Sequence, residues 1–440
     1  MANNIAIDGT IQETVRRKLC IGCGTCVALC PKKALEMIEC LETGTYLPRL
    51  DDSKCNKCGL CLKICPGISN DIGEKTSVVF DQHANHLFVG KYLKCYSGYA
   101  TNSNLRRKST SGGLIPALAI FALETGFATG ILTTRTEKES PLNPHSFIAR
   151  TKEEVMSAMG SKYCPVPVNC ALDKVVENEG NYITVGLPCH VQGLRKAQTL
   201  NRALETRISF VFGIVCNHTP TFHAIRFLLK KFKISEEKIA KLDYRSKGWP
   251  GGINIVMDDG SEHFISFRSS YYWGYVFQQF FWSKRCMVCD DKLCQLADII
   301  FMDAWLPVFS SEKMGYSLVV VRTRKGEEFI TKAIEKGVVK LQQISIEAIL
   351  ESQSMQKTIR KMNARRFILK YVSKKPLDFT KLSYSPSASD LLDALYFVFT
   401  NKICKNNSKL THLIIEYHVK LWNFACFAKR KLVKLRTFFQ

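Results

Sequence analysis

Between residues 20 and 66 one cysteine pattern is written twice: Cys20, Cys23, Cys26 and Cys30 before Pro31, then Cys55, Cys58, Cys61 and Cys65 before Pro66. Two-residue gaps between the first three thiols of each copy let a tight loop wrap three corners of an iron–sulfur cubane. The fourth thiol, set off by three residues and next to proline, reaches the neighbouring cube. Each copy is therefore incomplete by itself. The pattern assigns Cys20, Cys23, Cys26 and Cys65 to one 4Fe-4S cluster, and Cys55, Cys58, Cys61 and Cys30 to the other. Gly22, Gly24 and Gly59 suit this, because close approach of backbone to sulfide favours residues without a side chain. A disulfide framework and a zinc site are the alternatives, and zinc knuckles use their ligands in pairs rather than three plus one.

The stretch resembles a bacterial two-cluster ferredoxin. Beyond it lie more thiols. Cys189 and Cys216 each follow an apolar run, Cys286 and Cys289 stand two residues apart, and Cys294 comes shortly after. A lone pair at that spacing is ambiguous between zinc, a redox dithiol and an iron–sulfur cluster. With Cys189 and Cys216 it makes one further set of four, with Cys294 in reserve. Two other stretches carry groups suited to an anion or an aromatic ring. Ser111, Gly112 and Gly113 precede an apolar helix and offer a serine cap and free N–H groups to an anion such as a nucleotide phosphate. Residues 244–252 read as a glycine-rich loop with Arg245, Lys247 and Trp249.

The elements that must position these groups follow from periodicity and turn residues. Residues 94–101 predict a strand, 102–110 a basic loop and 114–123 a helix. Strand 130–134 and helix 152–159, capped by Thr151, lead to a loop holding Ser161, Lys162 and Tyr163. An apolar strand ends at Gly186, turns through Pro188 and opens a helix near Cys189. Strand, tight turn and helix start together form the crevice where α/β sheets bind ligands, and a thiol there suits a metal ligand or a nucleophile. The same pattern recurs with strand 208–215, Cys216 and a helix over 220–231. Strand 253–257 follows the glycine-rich loop, and helices are predicted over 329–336 and 344–370. Residues 67–89 read as a polar connector, 374–386 as a basic linker, and 390–399 as apolar enough to pack on something.

At 440 residues the chain is longer than a ferredoxin and implies two or three domains. Its 19 cysteines, eight of them in the doubled pattern, call for reduced thiols and hence the cytoplasm. Residues 1–19 are polar and lack an apolar core, which excludes a secretory signal, and no run is long enough for a membrane span. A formal charge of +23 fits nucleic acid, anionic lipid or an acidic protein. Part of it is local, since nine Lys or Arg and a single Glu lie between residues 401 and 440. Over 412–439, Leu, Ile, Trp and Phe interleave with lysines at helical spacing; a helix docked on its own domain and a peripheral membrane-surface or partner-binding helix both fit. Aromatics do not alternate with basic residues along a defined stretch, which argues against nucleic acid.

On Ser111-Gly112-Gly113 and residues 160–163, 185–195, 244–251, 285–289, 297–305 and 315–326, in that order, the chain resembles the coenzyme F420 hydrogenase/dehydrogenase beta-subunit family. The likeness covers about 94–328, with the ferredoxin module fused in front. It implies an FAD around Ser111, Gly112, Gly113, Ser161, Lys162, Tyr163, Gly186, Pro188, Lys247, Trp249 and Gly251. It also implies a third 4Fe-4S cluster beside the flavin, on Cys189, Cys216, Cys286 and Cys289. The activity it implies is that of a flavin-dependent iron–sulfur oxidoreductase. Such a protein exchanges hydride with a deazaflavin or another small acceptor, and some bacterial relatives are linked to surface-polysaccharide pathways. An electron-transfer subunit that works only with a partner chain is the alternative. Clusters pass single electrons and a flavin holds two, so no acid–base triad is needed, and none is visible. The expected architecture is α+β and α/β: a ferredoxin-type domain at 11–75, a mixed α/β flavin-binding domain in two parts, 91–180 and 181–330, and a helical basic tail at 331–440.

Overall fold

The computed structural model describes residues 9–68, 79–80, 84–267, 272–372 and 384–421. Most of the connector, most of the linker and the tail beyond residue 421 lie outside them. In the cysteine-rich module, short helices Thr25–Ala28 and Leu60–Lys63 start after Gly24 and Gly59, whose φ angles of 89° and 72° are left-handed. Strands β1 (Leu35–Cys40) and β2 (Thr45–Leu50) pair antiparallel between the two loops.

Beside this module stands an eight-stranded mixed sheet. Its strands are β3 (Lys94–Ala100), β4 (Gly130–Glu137), β5 (Ser140–Ala149), β6 (Tyr182–Gly186) and β7 (Ile208–Ile214). A second, three-stranded sheet takes the next strands, β8 (Ile239–Ser246), β9 (Gly252–Met257) and β10 (Glu262–Ser266). The chain then returns to the large sheet with β11 (Ile299–Asp303), β12 (Ser317–Val321) and β13 (Val339–Ile344). The spatial order in the large sheet is β13-β3-β12-β11-β7-β6-β4-β5. Neighbours among β11, β7, β6 and β4 run parallel, so their carboxyl ends share one edge. The flanking pairs are antiparallel.

Side chains alternate across the sheet with period two, and the two faces make two cores. Ile299, Phe301, Val319 and Val321 join Phe210, Phe212 and the helices Leu114–Glu124 and Arg324–Glu335 on one face. Ile300, Met302, Leu318 and Val320 join Val191, Leu194, Phe222 and Phe227 on the other. Burying both faces explains why residues 299–302 and 318–321 are apolar without interruption. At their ends the wholly buried Arg322 donates to the carbonyls of Val89, Lys91 and Leu293, which ties the start of the sheet domain to the loop after Cys289.

Four local readings change. Residues 103–108 form a helix rather than a loop, because Asn102 caps it by accepting from Leu105 N–H at 3.0 Å. Ser111 is not a cap: its hydroxyl goes to Tyr316 O and Ser317 Oγ, and Gly113, at φ 76°, precedes the helix. Tyr244, Arg245 and Ser246 belong to β8, so only 247–251 turn between strands. The helix predicted over 344–370 is two, Ile346–Ser352 and Met355–Val372, broken where Ser354 adopts φ 47°. Strands β3, β4, β6, β7 and β9 fall on segments read as strands from the sequence, whereas β1, β2, β5, β8, β10, β11, β12 and β13 do not.

The C-terminal region, as far as residue 421, docks on its own chain. Helix Ala388–Ile403 packs Phe397 and Val398 against Met287, Val288 and Leu369, and Asn401 exchanges hydrogen bonds with Trp282 N–H and Gln279 O. Further on, Ile415 and Val419 enter the main core and Glu416 pairs with Lys231 at 2.6 Å. Among the described residues no helix is long and apolar enough to cross a membrane.

Candidate functional site

The two loops of the cysteine-rich module bring their thiols together in the crossed arrangement. Burial pushes the Cys23 thiol up to about 11, and Cys65 adds to the rise. Burial likewise raises Cys20, with Cys65 and Cys23 as its charged neighbours, and Cys26, with Cys23, Cys20, Cys65 and Cys61. Cys61 is raised by burial, then by Cys58 and Cys30. Cys65 thus sits with the first loop and Cys30 with the second. Cys20, Cys23, Cys26, Cys65 and Ile11 line one small pocket. Backbone N–H groups of Gly22, Ala34, Lys57 and Gly67 point at the sulfurs of Cys20, Cys30, Cys55 and Cys65 at 3.3–3.4 Å. Such donors stabilise negative sulfur and set a cluster's potential. The donor set, its cavity and these N–H groups fit two cubanes.

A second gathering of thiols forms at the carboxyl edge of the parallel strands. Pro188 starts the helix Pro188–Gln198 just after β6 and presents Cys189; Cys216 follows β7; Cys286 ends a turn capped by Ser283, with Cys289 after it. Burial raises the Cys189 thiol, and its charged neighbours are Cys216, Cys286, Cys289 and Cys23. Cys216 is raised by burial and by Cys286 and Cys289, and Cys289 is pushed by burial to about 12. Among the described residues no three His, Cys, Asp or Glu side chains are grouped to hold a single metal ion. A cubane takes each thiolate on a different iron, so its ligands need not meet at one point. Cys294 packs on Gly213 and has Asp291, Arg322 and Cys216 as charged neighbours, so it lies beside this set without being among the neighbours of Cys189.

The link between Cys189 and Cys23 comes from a tight seam. A carbon added at Gly24 would stand 2.6 Å from Cys170 Sγ, and one at Gly193, on the Cys189 helix, 2.5 Å from Thr25 Oγ1. Asn169 N–H donates to Cys23 O at 2.9 Å, and its side chain donates to Thr25 Oγ1 and His190 O, both at 2.8 Å. Lys196 Nζ donates to Cys65 O at 2.6 Å. The outer strands dock as well, through Phe222 N–H to Gly44 O and the Arg226–Glu39 pair. The three thiol sets therefore lie in succession: Cys30, Cys55, Cys58 and Cys61; then Cys20, Cys23, Cys26 and Cys65; then the four at the sheet edge.

Cations surround the last set. Arg365 and Arg366, on the long helix Met355–Val372, face Cys289, with Arg365 also near Cys286 and stacked on Trp282 at 4.9 Å. Burial lowers the Arg365 guanidinium to about 10 and the nearby Lys292 ammonium to about 8. Arg366 pairs with Asp290 at 3.0 Å. No sequence signal pointed to Arg365, which lies 76 residues after Cys289 on a helix with no motif of its own.

The residues assigned to a flavin divide. Ser161 Oγ donates to Thr110 Oγ1 at 3.0 Å, bringing its loop to the Ser111-Gly112-Gly113 turn. Gly112 N–H is already given to Ser317 Oγ at 2.9 Å, and a carbon added at Gly112 would meet Gly98 O at 2.6 Å. These contacts give Gly112 a packing role. Lys162 Nζ donates to Ala158 O, and desolvation lowers its ammonium to about 8. Tyr163 meets Trp273 and Tyr244 edge-on at 5.2 and 6.0 Å. Lys247 pairs with Glu262 at 2.7 Å and turns away from this group. Gly251, at φ 72°, would clash with Ser246 O if it carried a side chain. Gly186 and Pro188 lead directly into Cys189.

Asp303, at the end of β11, joins two of these parts. It accepts from Arg245 Nη1 at 2.6 Å and from Trp249 Nε1 at 3.2 Å. Trp249 packs on Trp305 at 4.8 Å, and Trp305, 42% exposed, stacks on Phe267 at 6.2 Å. Trp273 Nε1 and Asn254 Oδ1 are buried without a hydrogen-bond partner. Leaving such groups unmet costs about 1–3 kcal/mol each. Tyr163, Trp273, Trp249 and Trp305 supply aromatic faces, and Arg245 a fixed charge, of the kind a flavin ring would need.

Three family models match the chain. Two describe the beta subunit of coenzyme F420 hydrogenase/dehydrogenase: the model of its N-terminal part covers residues 95–173, and the model of its C-terminal part covers 180–347. The third, "4Fe-4S dicluster domain", covers 19–67. The coenzyme F420 hydrogenase subunit beta of Methanothermobacter thermautotrophicus is 26% identical over 259 residues, 57% of this chain and 85% of that protein. The protein of the same name from Methanococcus voltae is 28% identical over 262 residues, 58% of this chain and 86% of its own. The coenzyme F420-dependent sulfite reductase of Methanocaldococcus jannaschii is 26% identical over 351 residues, 76% of this chain and 49% of that protein. A chain of the F420-reducing NiFe hydrogenase complex from Methanosarcina barkeri superposes with a TM-score of 0.53 and 22% identity, over 67% of this chain and 98% of that one, a likeness of fold.

Proposed function

Because the chain belongs to the coenzyme F420 hydrogenase/dehydrogenase beta-subunit family and carries a 4Fe-4S dicluster domain in front, we propose that it is an iron–sulfur flavoprotein oxidoreductase of the cytoplasm. The observation that carries this reading is the succession of three thiol sets, the last at the sheet edge where Gly186, Pro188 and Asp303 also lie. Cubanes on these sets supply one-electron steps and an FAD supplies the exchange of two, with hydride passed to a deazaflavin or another small acceptor, such as one of surface-polysaccharide metabolism. The ferredoxin-type domain, read as 11–75, is then the relay. The parts read as 91–180 and 181–330 hold the flavin and the third cluster, and from the part read as 331–440 the helix Met355–Val372 brings Arg365 to that cluster.

The protein's own groups have definite tasks in this reading. Tyr163, Trp273 and the Trp249–Trp305 pair offer faces for a ring; Arg245, held by Asp303, keeps a fixed positive charge at its edge; Lys162 and the turn at Ser111 and Gly113 offer donors to phosphate. Arg365 and Lys292 offset the charge of four thiolates in a site withdrawn from water. Anaerobic purification with iron, sulfide and flavin quantified together tests the proposal. About twelve irons, about twelve sulfides and one flavin per chain are expected, whereas iron without flavin would reduce it to a cluster carrier.

The alternative, a subunit that turns over only with a partner chain, is favoured by the names of its relatives, which are subunits of hydrogenases. Assay of the isolated chain with a small acceptor separates the two.

A further inference from the structure

The thiol set farthest from the sheet is the one that reaches the surface. Cys23, Cys26 and Cys65 are buried, and the seam at Asn169 covers their loop; Cys58, in the other set, is exposed. Around that set stand Lys32 and Lys33, just after Cys30; Lys54 and Lys57, flanking Cys55; and Lys63, between Cys61 and Cys65. All five are exposed. Two carboxylates, Asp51 and Asp52, share the face, and Asp51 is bound to Lys54 at 3.0 Å.

The lysines are not there to quench the sulfurs. Cys30 and Cys55 take hydrogen bonds from the backbone N–H groups of Ala34 and Lys57, at 3.3 and 3.4 Å. Among the described residues no lysine ammonium bonds a sulfur of this set. Ammonium groups held in water around a reachable redox site are suited to a partner of opposite charge, whose approach they steer and whose orientation they select. A nucleic acid would also answer to positive charge, but stacking platforms need aromatic rings, and neither 30–34 nor 51–65 contains one.

We propose that the face formed by Lys32, Lys33, Lys54, Lys57 and Lys63 around Cys58 is a docking surface for an acidic, carboxylate-rich protein. This rests on the reading of Cys30, Cys55, Cys58 and Cys61 as cluster ligands, since that gives such a partner a reason to approach here. The surface is small and polar, which suits a transient contact, fast on and fast off, rather than a permanent interface.

The test is binding of an acidic ferredoxin to the full, cluster-loaded chain, followed by calorimetry or surface plasmon resonance from about 20 mM to 0.5 M salt, where screening removes the attraction. Lys32→Glu/Lys57→Glu should weaken binding roughly tenfold or more at low salt and converge with the parent chain at high salt. Lys405→Glu/Lys409→Glu, the same charge change at exposed sites on the C-terminal region, should leave affinity within about twofold if the five lysines, and not the overall charge, steer the partner. Iron content and the reduced-state paramagnetic spectrum should be unchanged in both variants. Equal weakening by the two pairs would reduce the effect to the overall charge and overturn the proposal. So would salt-insensitive binding, or tighter binding of a DNA duplex through the same lysines. A full iron count in Cys58→Ser would instead defeat the cluster reading beneath it.

Discussion

A single methyl group at the seam between the cluster module and the sheet tests whether the thiol sets are held in succession by rigid docking. Gly24 has φ 89°, and a left-handed conformation costs an L-residue about 1–2 kcal/mol. A carbon added there would stand 2.6 Å from Cys170 Sγ and 2.7 Å from Cys170 N. The second atom is backbone and cannot rotate aside, so overpacking adds about 1–3 kcal/mol. The first cost stays with the loop, whereas opening relieves the overpacking, so Gly24→Ala should cost the seam about 1–3 kcal/mol, which at about 1.4 kcal/mol per decade is roughly five-fold or more in local opening. Hydrogen exchange at the Asn169 amide, bonded to Cys23 O, reads that opening directly. Gly126→Ala, at φ 70° with nothing within 4 Å of the added carbon, carries the conformational cost alone and should leave Asn169 protected. Adding Cys170→Ala should recover only part of the loss, since the backbone nitrogen remains. Unchanged protection in Gly24→Ala would mean that the two bodies are not locked here, and the reasoning from seam to succession would fall.

Cys58→Ser and Cys289→Ser, each made in the full chain, should lower iron by about four per chain from different clusters. Separate losses in the paramagnetic spectrum check this, and a zinc in place of the Cys289-dependent iron would refute the third cubane. Gly113→Asp should release flavin while keeping iron. Aspartate tolerates the left-handed conformation and favours a helix start, but its Cβ would stand 3.1 Å from Arg106 Cα, so circular dichroism is read beside flavin absorbance to separate loss of fold from loss of flavin; bound flavin at parental stoichiometry would exclude a site at this turn. Arg365→Gln should lower the potential of the cluster on Cys189, Cys216, Cys286 and Cys289 by on the order of 50 mV, the equivalent of about 1 kcal/mol for one lost partly buried charge. Redox titration measures the shift, and no change would show that this guanidinium serves packing against Trp282 alone.

The cysteine-rich module was legible because its information is local. Three thiols two residues apart already define a loop around three irons, and only the exchange of Cys30 and Cys65 reaches beyond a few residues, for a reason that lies in the cubane. Strands 94–101, 182–186 and 208–215 and the Thr151 cap were equally plain from periodicity and capping chemistry. Ser111 looked like a cap because serine before a helix usually is one, yet its hydroxyl is claimed by Tyr316 and Ser317, some 205 residues on. Strand β13 was missed because Val339–Ile344 alternates too weakly to declare itself, and it becomes a strand only beside β3. The sequence by itself determined where a 4Fe-4S dicluster domain lies and which segments are apolar on one or both faces, since these depend on spacing along the chain. Only the tertiary structure decided that Cys189 and Cys216 share an edge with Cys286 and Cys289, that Cys23 faces Cys189, and that Arg365 covers the last set. Those relations depend on the parallel pairing of β6 with β7 and on the docking of separate bodies through Gly24, Asn169 and Gly193, and contacts between surfaces so far apart in sequence leave no periodic trace within either segment.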